Sequence, residues 1–319
     1  MQGIAWNDDA RSLLDEHPDA YKDISEVMDP GLHNFWVREY CFAMFEPTPE
    51  LRRRYEDDGY VVFRGVFDEE ITRPLLDAVG KSALAVLDRH GNKQEVNTWT
   101  WCGDDLIGRF PRVDPLVDLA EFLIGDEVYH WHSKISWKRP HTAGTWDWHQ
   151  DYAFWVEEGC AQPAMTTISV ALDDNNLDNG CLRVVKGSHH LGVIDHVPTG
   201  HGRAADQSRV DELTAELETV AVELAPGDMI AFHSNTLHTS GPNESDRPRT
   251  LLHCSYNSTS NAATAPLIDG HQLNELVRVP QADLLPGAYD SVFGETVFIA
   301  PEDTGYSGRS GYTVLAADS

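Results

Sequence analysis

The stretch WDWHQDYAFW, residues 146–155, sets one imidazole and one carboxylate, His149 and Asp151, into an otherwise aromatic run. Residues two apart on a strand point to the same face. On that reading His149 and Asp151 project into one cavity while Trp148 and Tyr152 flank it or face away. The pair can then chelate one edge of a divalent ion. An HxD pair is common by chance and is more often structural, so the reading needs a third ligand.

The segment PGDMIAFHSNTLHTSGPNESDRPRT, residues 226–250, offers one. A strand ends there and a loop carries His238. Two histidines and one carboxylate make the facial triad of non-haem Fe(II) oxygenases, which leaves positions open for a cosubstrate and dioxygen. Arg249 follows His238 by eleven residues at the start of another strand. An arginine fork is the natural partner for the distal carboxylate of a dicarboxylate, and a hydroxyl such as that of Ser240 completes the grip. His233, at the strand end AFH, competes with His238 for the third position. His189 and His190 in KGSHH read as part of a structural turn. His130 and His132 alternate on a strand and could line the cavity, and His253 shares a face with Arg249.

The surroundings fit this picture. From about residue 127, EVYHWHSKISWK, TTISVALDD, CLRVVKGS, AVELAPGDMIAFH and RTLLHCSYN are short β-rich runs separated by Gly, Pro and Asn/Asp turns. Many short strands indicate a sandwich or barrel rather than βαβ units. Upstream, PTPELRRRYEDDGY (47–60) reads as a helix closed by Gly59, and YVVFRGVF (60–67) as β-rich. DEEITRPLLDAVGKSALAVLDRH (68–90) reads as a helix with charges matched to its dipole, and VDPLVDLAEFLIG (113–125) as a helix closed by Gly125. ARSLLDEH, within residues 1–48, allows one more short helix. The expected class is α+β, mainly β, with helices buttressing a β-core. Residues 1–48 read as an N-terminal extension packing on the core. Residues 49–319 read as one domain, with its β-core at about 127–260 and a tail over 261–319. The polar insertion at 195–216 has the length and composition of a lid.

Composition excludes several classes. Across 319 residues, 52 Asp+Glu against 24 Lys+Arg give a net charge of −28. No basic stripe interrupts this acidic surface, which disfavours nucleic acid as a partner. No run approaches a membrane span, and MQGIAWNDDARSLLDEHPDAY lacks the apolar stretch of a secretory signal. Five scattered cysteines without a CxxC pair read as reduced thiols, so the expected location is cytoplasmic. The expected partner is a small molecule, handled by a monomer or homodimer. Trp99 and Trp101 could sit on a pocket rim, where an aromatic box would suit a cationic ligand.

The order HQD (149–151), NGCLRVVKGSHH (179–190), PGDMIAFH (226–233) and HTSGPNESDRPR (238–249), after the opening YEDDGYVVFRGVF (55–67), resembles the phytanoyl-CoA dioxygenase family. Its members are Fe(II)/2-oxoglutarate oxygenases. HSKISWKRPHTAGTWDWHQDYAFW is most similar to the ectoine hydroxylase branch. The resemblance implies a double-stranded β-helix, or jelly roll, with His149, Asp151 and His238 on iron and Arg249 and Ser240 on 2-oxoglutarate. Lys138 and Thr167 join them as candidates for the cosubstrate. Trp155, His132, Trp146 and His253 are the candidates for the substrate. This chain departs from that branch at YAFWV, where the branch has Phe-Glu-Thr-Trp-His, and at His132, where the branch places glutamine. The implied reaction is hydroxylation of an unactivated C–H bond of a small polar molecule, with 2-oxoglutarate and O2 consumed. Desaturation or cyclisation by the same cofactors is the alternative. A non-oxygenase cupin-type metalloprotein is another, which the arginine after His238 speaks against.

Overall fold

The computed structural model of the chain describes residues 47–79, 84–299 and 314–316. The helix foreseen near ARSLLDEH, and the packing of the N-terminal extension, lie outside the described residues. The helix Pro49–Asp58 starts where Thr48 Oγ1 accepts the Leu51 N–H and stops at Gly59, whose φ of 81° suits a residue without a side chain. It delivers the chain into β1 (Tyr60–Phe63).

The single helix expected over 68–90 is instead a helix at Glu69–Leu75, a 3-10 turn at Leu76–Ala78 and the strand β2 (Leu84–Leu87). Pro74 already interrupts the helix. The LAVL segment buries Leu84, Ala85 and Val86 together, and one helical face could not do that. It pairs antiparallel with β3 (Lys93–Trp99).

The remaining strands are β4 (Val128–Lys138), β5 (Trp146–His149), β6 (Met165–Ala171), β7 (Leu182–Val185), β8 (His196–Pro198), β9 (Arg203–Ala205), β10 (Thr219–Val222), β11 (Met229–His233), β12 (His238–Ser240), β13 (Arg249–Ser258) and β14 (Val314–Ala316). Eight form a sheet in the order β1-β11-β6-β13-β4-β3-β2-β14, and four form a second sheet in the order β10-β7-β12-β5. Sequence neighbours are thus rarely sheet neighbours, the mark of the expected jelly roll. Between the two sheets Ala171, Leu182, Val184, Val222, Leu224, Ile230, Phe232 and Leu251 make one apolar layer. Burying each large member contributes about 1.5–3 kcal/mol.

All ten residues of β13 are buried. The far side of the large sheet is covered by the helix Asp114–Ile124, which packs against β4, β6 and β13 through a face including Leu116, Leu119, Ala120 and Leu123. That helix is the expected buttress. The polar insertion is an ordered element: β8 and β9 form a hairpin, and the helix Gln207–Glu216 packs Val210 and Leu213 onto Ile194, Ala205 and Leu237. Two apolar residues three apart were enough to dock it. Residues Phe45–Ser319 form one unit. No helix among the described residues is long and apolar enough to cross a membrane. Cys102, Cys160, Cys181 and Cys254 are free thiols.

Candidate active site

One end of the space between the sheets gathers His149, Asp151 and His238. Their candidate donor atoms all lie within 4.8 Å of one another, and among the described residues no other such group occurs. His149 Nε2 is 3.8 Å and His238 Nε2 4.0 Å from the same Asp151 oxygen, Oδ1. The two imidazoles come from strands that pair directly, with His238 opposite His149. The strand reading of the HxD pair needs correction. β5 ends at His149, and Asp151 has helical backbone angles (φ −57°, ψ −43°) as the chain turns into the short helix Tyr152–Trp155. The tight turn, rather than strand alternation, brings its carboxylate back beside the histidine.

Sequence could not name what orients these groups, and the structure does. His149 Nδ1 lies 2.7 Å from the Asp147 carbonyl, and His238 Nδ1 lies 2.9 Å from that of Thr236. A carbonyl only accepts, so each Nδ1 carries the proton and each Nε2 presents a lone pair to the cavity. Burial pushes both imidazole pKa values down, well down for His149, and holds the rings in the neutral form a metal binds. Thr167 donates its hydroxyl to Asp151 Oδ2 at 3.3 Å. Between the two ligands, the fully buried Gln150 accepts from the Ile194 N–H and donates to the Gly192 and Asn235 carbonyls. Its own N–H goes to His196 Nε2 at 3.0 Å. The loop after β7, the hairpin strand β8 and the approach to His238 are therefore all tied to the residue between the ligands.

Farther along the same cavity stands Arg249, almost fully buried. Its Nη2 donates to Ser240 Oγ at 2.5 Å, its Nη1 to Ser136 Oγ at 3.2 Å and its Nε to the Gly180 carbonyl at 3.1 Å. Burial lowers its pKa to about 10, so it remains a cation at neutral pH. The cavity has an empty volume of about 430 Å³, counting the part open to solvent. Phe232, Leu182 and Leu251 give it an apolar wall.

This constellation matches known proteins. The sequence profile of the phytanoyl-CoA dioxygenase (PhyH) family fits residues 55–251. The chain belongs to this family. Among curated relatives it is 28% identical to the L-proline trans-4-hydroxylase of Streptomyces griseoviridis, over 69% of this chain and 90% of that protein. It is 27% identical to the ectoine dioxygenase of Sphingopyxis alaskensis, over 75% of this chain and 83% of that protein. The solved structure of EctD from S. alaskensis with bound Fe superposes with a TM-score of 0.61 at 25% identity, covering 73% of this chain and 88% of that one. As a PhyH-family member the chain is a dioxygenase of the 2-oxoglutarate-dependent iron class, with the double-stranded β-helix fold. Its triad fits the metal: two neutral imidazoles and one carboxylate converge at a buried wall with no other use for their lone pairs.

Of the residues singled out from sequence, Arg249, Ser240, Thr167, Trp146 and His253 line the cavity with the triad. Thr167 faces Asp151 and Ser255. His253 is held between Ser136 (2.9 Å) and Ser169 (2.6 Å). Lys138 does not line the cavity. Its ammonium is buried against the carbonyls of Gly144, Ser240 and Gly241, which use all three of its protons. Trp155 packs with Trp131, Tyr129 and Tyr152 in a separate cluster, because the helical turn at Asp151 swings it off the cavity wall. His132 lies outside the cavity lining and pairs with His271 at 3.1 Å, which in turn faces the buried Glu158. Trp99 is wholly buried core, and the half-exposed Trp101 donates to Asp269 rather than rimming the pocket. His233 accepts the Asn235 N–H and stays outside the triad. Sequence reasoning missed Lys134, Ser136 and Gln150. The first two were accessible in principle, since they stand four and two residues before Lys138 and share its strand face.

Proposed function

We propose that His149, Asp151 and His238 ligate Fe(II), that Arg249 with Ser240 and Ser136 holds the distal carboxylate of 2-oxoglutarate, and that the enzyme hydroxylates an unactivated C–H bond of a small polar molecule. The observation that carries this reading is one cavity lined by both the three-ligand cluster and a hydroxyl-braced arginine. Bound iron, 2-oxoglutarate and dioxygen supply the oxidising chemistry, with succinate and CO2 as coproducts.

The chain's own residues supply the order. The Asp147 and Thr236 carbonyls fix the imidazole tautomers, and Thr167 holds the free oxygen of Asp151. Ser240 donates its hydroxyl hydrogen bond to the Gly180 carbonyl at 2.8 Å, leaving its oxygen to accept from Arg249 and orient the fork. Phe232, Leu182 and Leu251 keep water out, which strengthens every charge interaction inside. His253 and Trp146 are the cavity residues best placed to meet the substrate. Buried free thiols at Cys160, Cys181 and Cys254 support a reducing, cytoplasmic setting. Residues 49–319 act, on this reading, as one catalytic domain with 1–48 as its extension.

The test is anaerobic addition of Fe(II) and 2-oxoglutarate to the purified protein. A weak visible charge-transfer band that is lost in D151A supports the assignment, and no band in the wild type sinks it.

A further inference from the structure

The cavity contains a cation that none of these roles uses. Lys134 lines it from β4, with its ammonium 5.8 Å from the centre of the Trp146 ring. In the β4–β13 pairing Lys134 stands opposite His253, whereas Arg249 stands opposite Lys138. Four residues of strand, about 13 Å, therefore separate the backbone positions of Lys134 and Arg249, so the two side chains are rooted at different points of the cavity wall. Among the described residues no carboxylate pairs with Lys134: its contact is the face of Trp146, and His253 opposite is kept neutral by burial.

We propose that Lys134 selects the primary substrate by pairing with its carboxylate, so that the enzyme acts on small carboxylate-bearing molecules, zwitterions included. This rests on the iron and 2-oxoglutarate assignment above. The charge count carries it. A divalent ion and a dicarboxylate dianion cancel, and Asp151 offsets Arg249. Lys134, half-buried in the cavity wall, is then the surplus charge, and one anionic group on the substrate closes the balance. The face of Trp146 already holds the protein's own ammonium, so it is not free to receive a cationic substrate. A chain of net charge −28 repels anions at long range, so a cationic interior is what brings a carboxylate to the site.

The probe is acetate, with acetamide as its neutral control, titrated into the anaerobic complex of the protein with Fe(II) and 2-oxoglutarate. Acetate should shift the visible band saturably in the wild type, and acetamide should not. K134M should bind 2-oxoglutarate within threefold of the wild type yet weaken the acetate response at least thirtyfold, and K134R should restore it. K134Q serves as the second neutral variant if K134M does not fold. An acetate response that survives both neutral variants, or is absent from the wild type, overturns the proposal. So does a tenfold loss of 2-oxoglutarate affinity in K134M, because Lys134 would then serve the cosubstrate. A wild type without the band defeats the iron assignment itself, and this proposal with it.

Discussion

His238 Nε2 lies 4.0 Å from Asp151 Oδ1, although one belongs to β12 and the other follows β5. The gap is too long for a hydrogen bond. It suits two ligands that a shared ion draws together, since each would stand about 2.1 Å from that ion. Replacing Asp151 with alanine should therefore leave the fold intact while lowering Fe(II) affinity by about 100-fold or more. Calorimetric titration of Fe(II) and an assay for succinate check this. Iron binding that is unchanged in D151A contradicts the ligand set.

The grip of Arg249 should be graded. Its guanidinium reaches two hydroxyls and a carbonyl, and hydrogen bonds of charged groups contribute about 1.5–3 kcal/mol each. R249K keeps the charge but loses the fork, so the KM for 2-oxoglutarate should rise by about 10–100-fold, and S240A should raise it by less. An R249K enzyme with the wild-type KM would place the cosubstrate elsewhere.

Lys138 should behave as a structural residue. Its ammonium sits on three carbonyls and is almost completely buried, and burial beside Arg249 drives its pKa well down. K138M leaves those carbonyls unpaired, at a cost of roughly 2–4 kcal/mol. Urea unfolding should show that loss, while the 2-oxoglutarate KM of the folded fraction stays within threefold. The reverse pattern, a stable protein with weak cosubstrate binding, would restore Lys138 to the site.

Gln150 should couple stability to metal binding. Q150L strands the Ile194 N–H and the Gly192 and Asn235 carbonyls in a buried region, at roughly 2–5 kcal/mol. The melting temperature should fall, and Fe(II) affinity should weaken with it. A variant with the wild-type melting temperature would show that the loop after β7 is held by other contacts.

Acid should weaken the fold through its buried histidines. Burial lowers the pKa of His130 and of His233 to about 3 in the folded protein, against about 6.5 in an unfolded chain. Their depressed pKa values contribute stability that is complete above pH 6.5 and is lost as pH falls from 6.5 toward 3. At pH 5 the buried His130 should already have withdrawn about 2 kcal/mol, and the partly exposed His233 less. Urea midpoints at pH 7 and pH 5 measure the slope, which H130Q should reduce. An unchanged slope in H130Q would show that other groups carry the acid sensitivity.

The sequence by itself determined the β-rich core and the helix endings at Gly59 and Gly125, and it singled out His149, Asp151, His238 and Arg249 as candidates. These are local signals: alternation, turn residues and a donor set whose chemistry has few uses. Only the tertiary structure decided which side chains share the cavity. Lys134 and Lys138 lie on one strand face, and nothing local tells which ammonium meets the cavity and which is spent on carbonyls from β12 and the loop before β5. Trp155 looked like a cavity residue until the chain proved to turn helical at Asp151. The segment over 84–87 looked helical until β3 offered its edge. In each case the deciding partner is distant in sequence, and a hydrogen bond or a packed face has no address there until the two sheets close on each other.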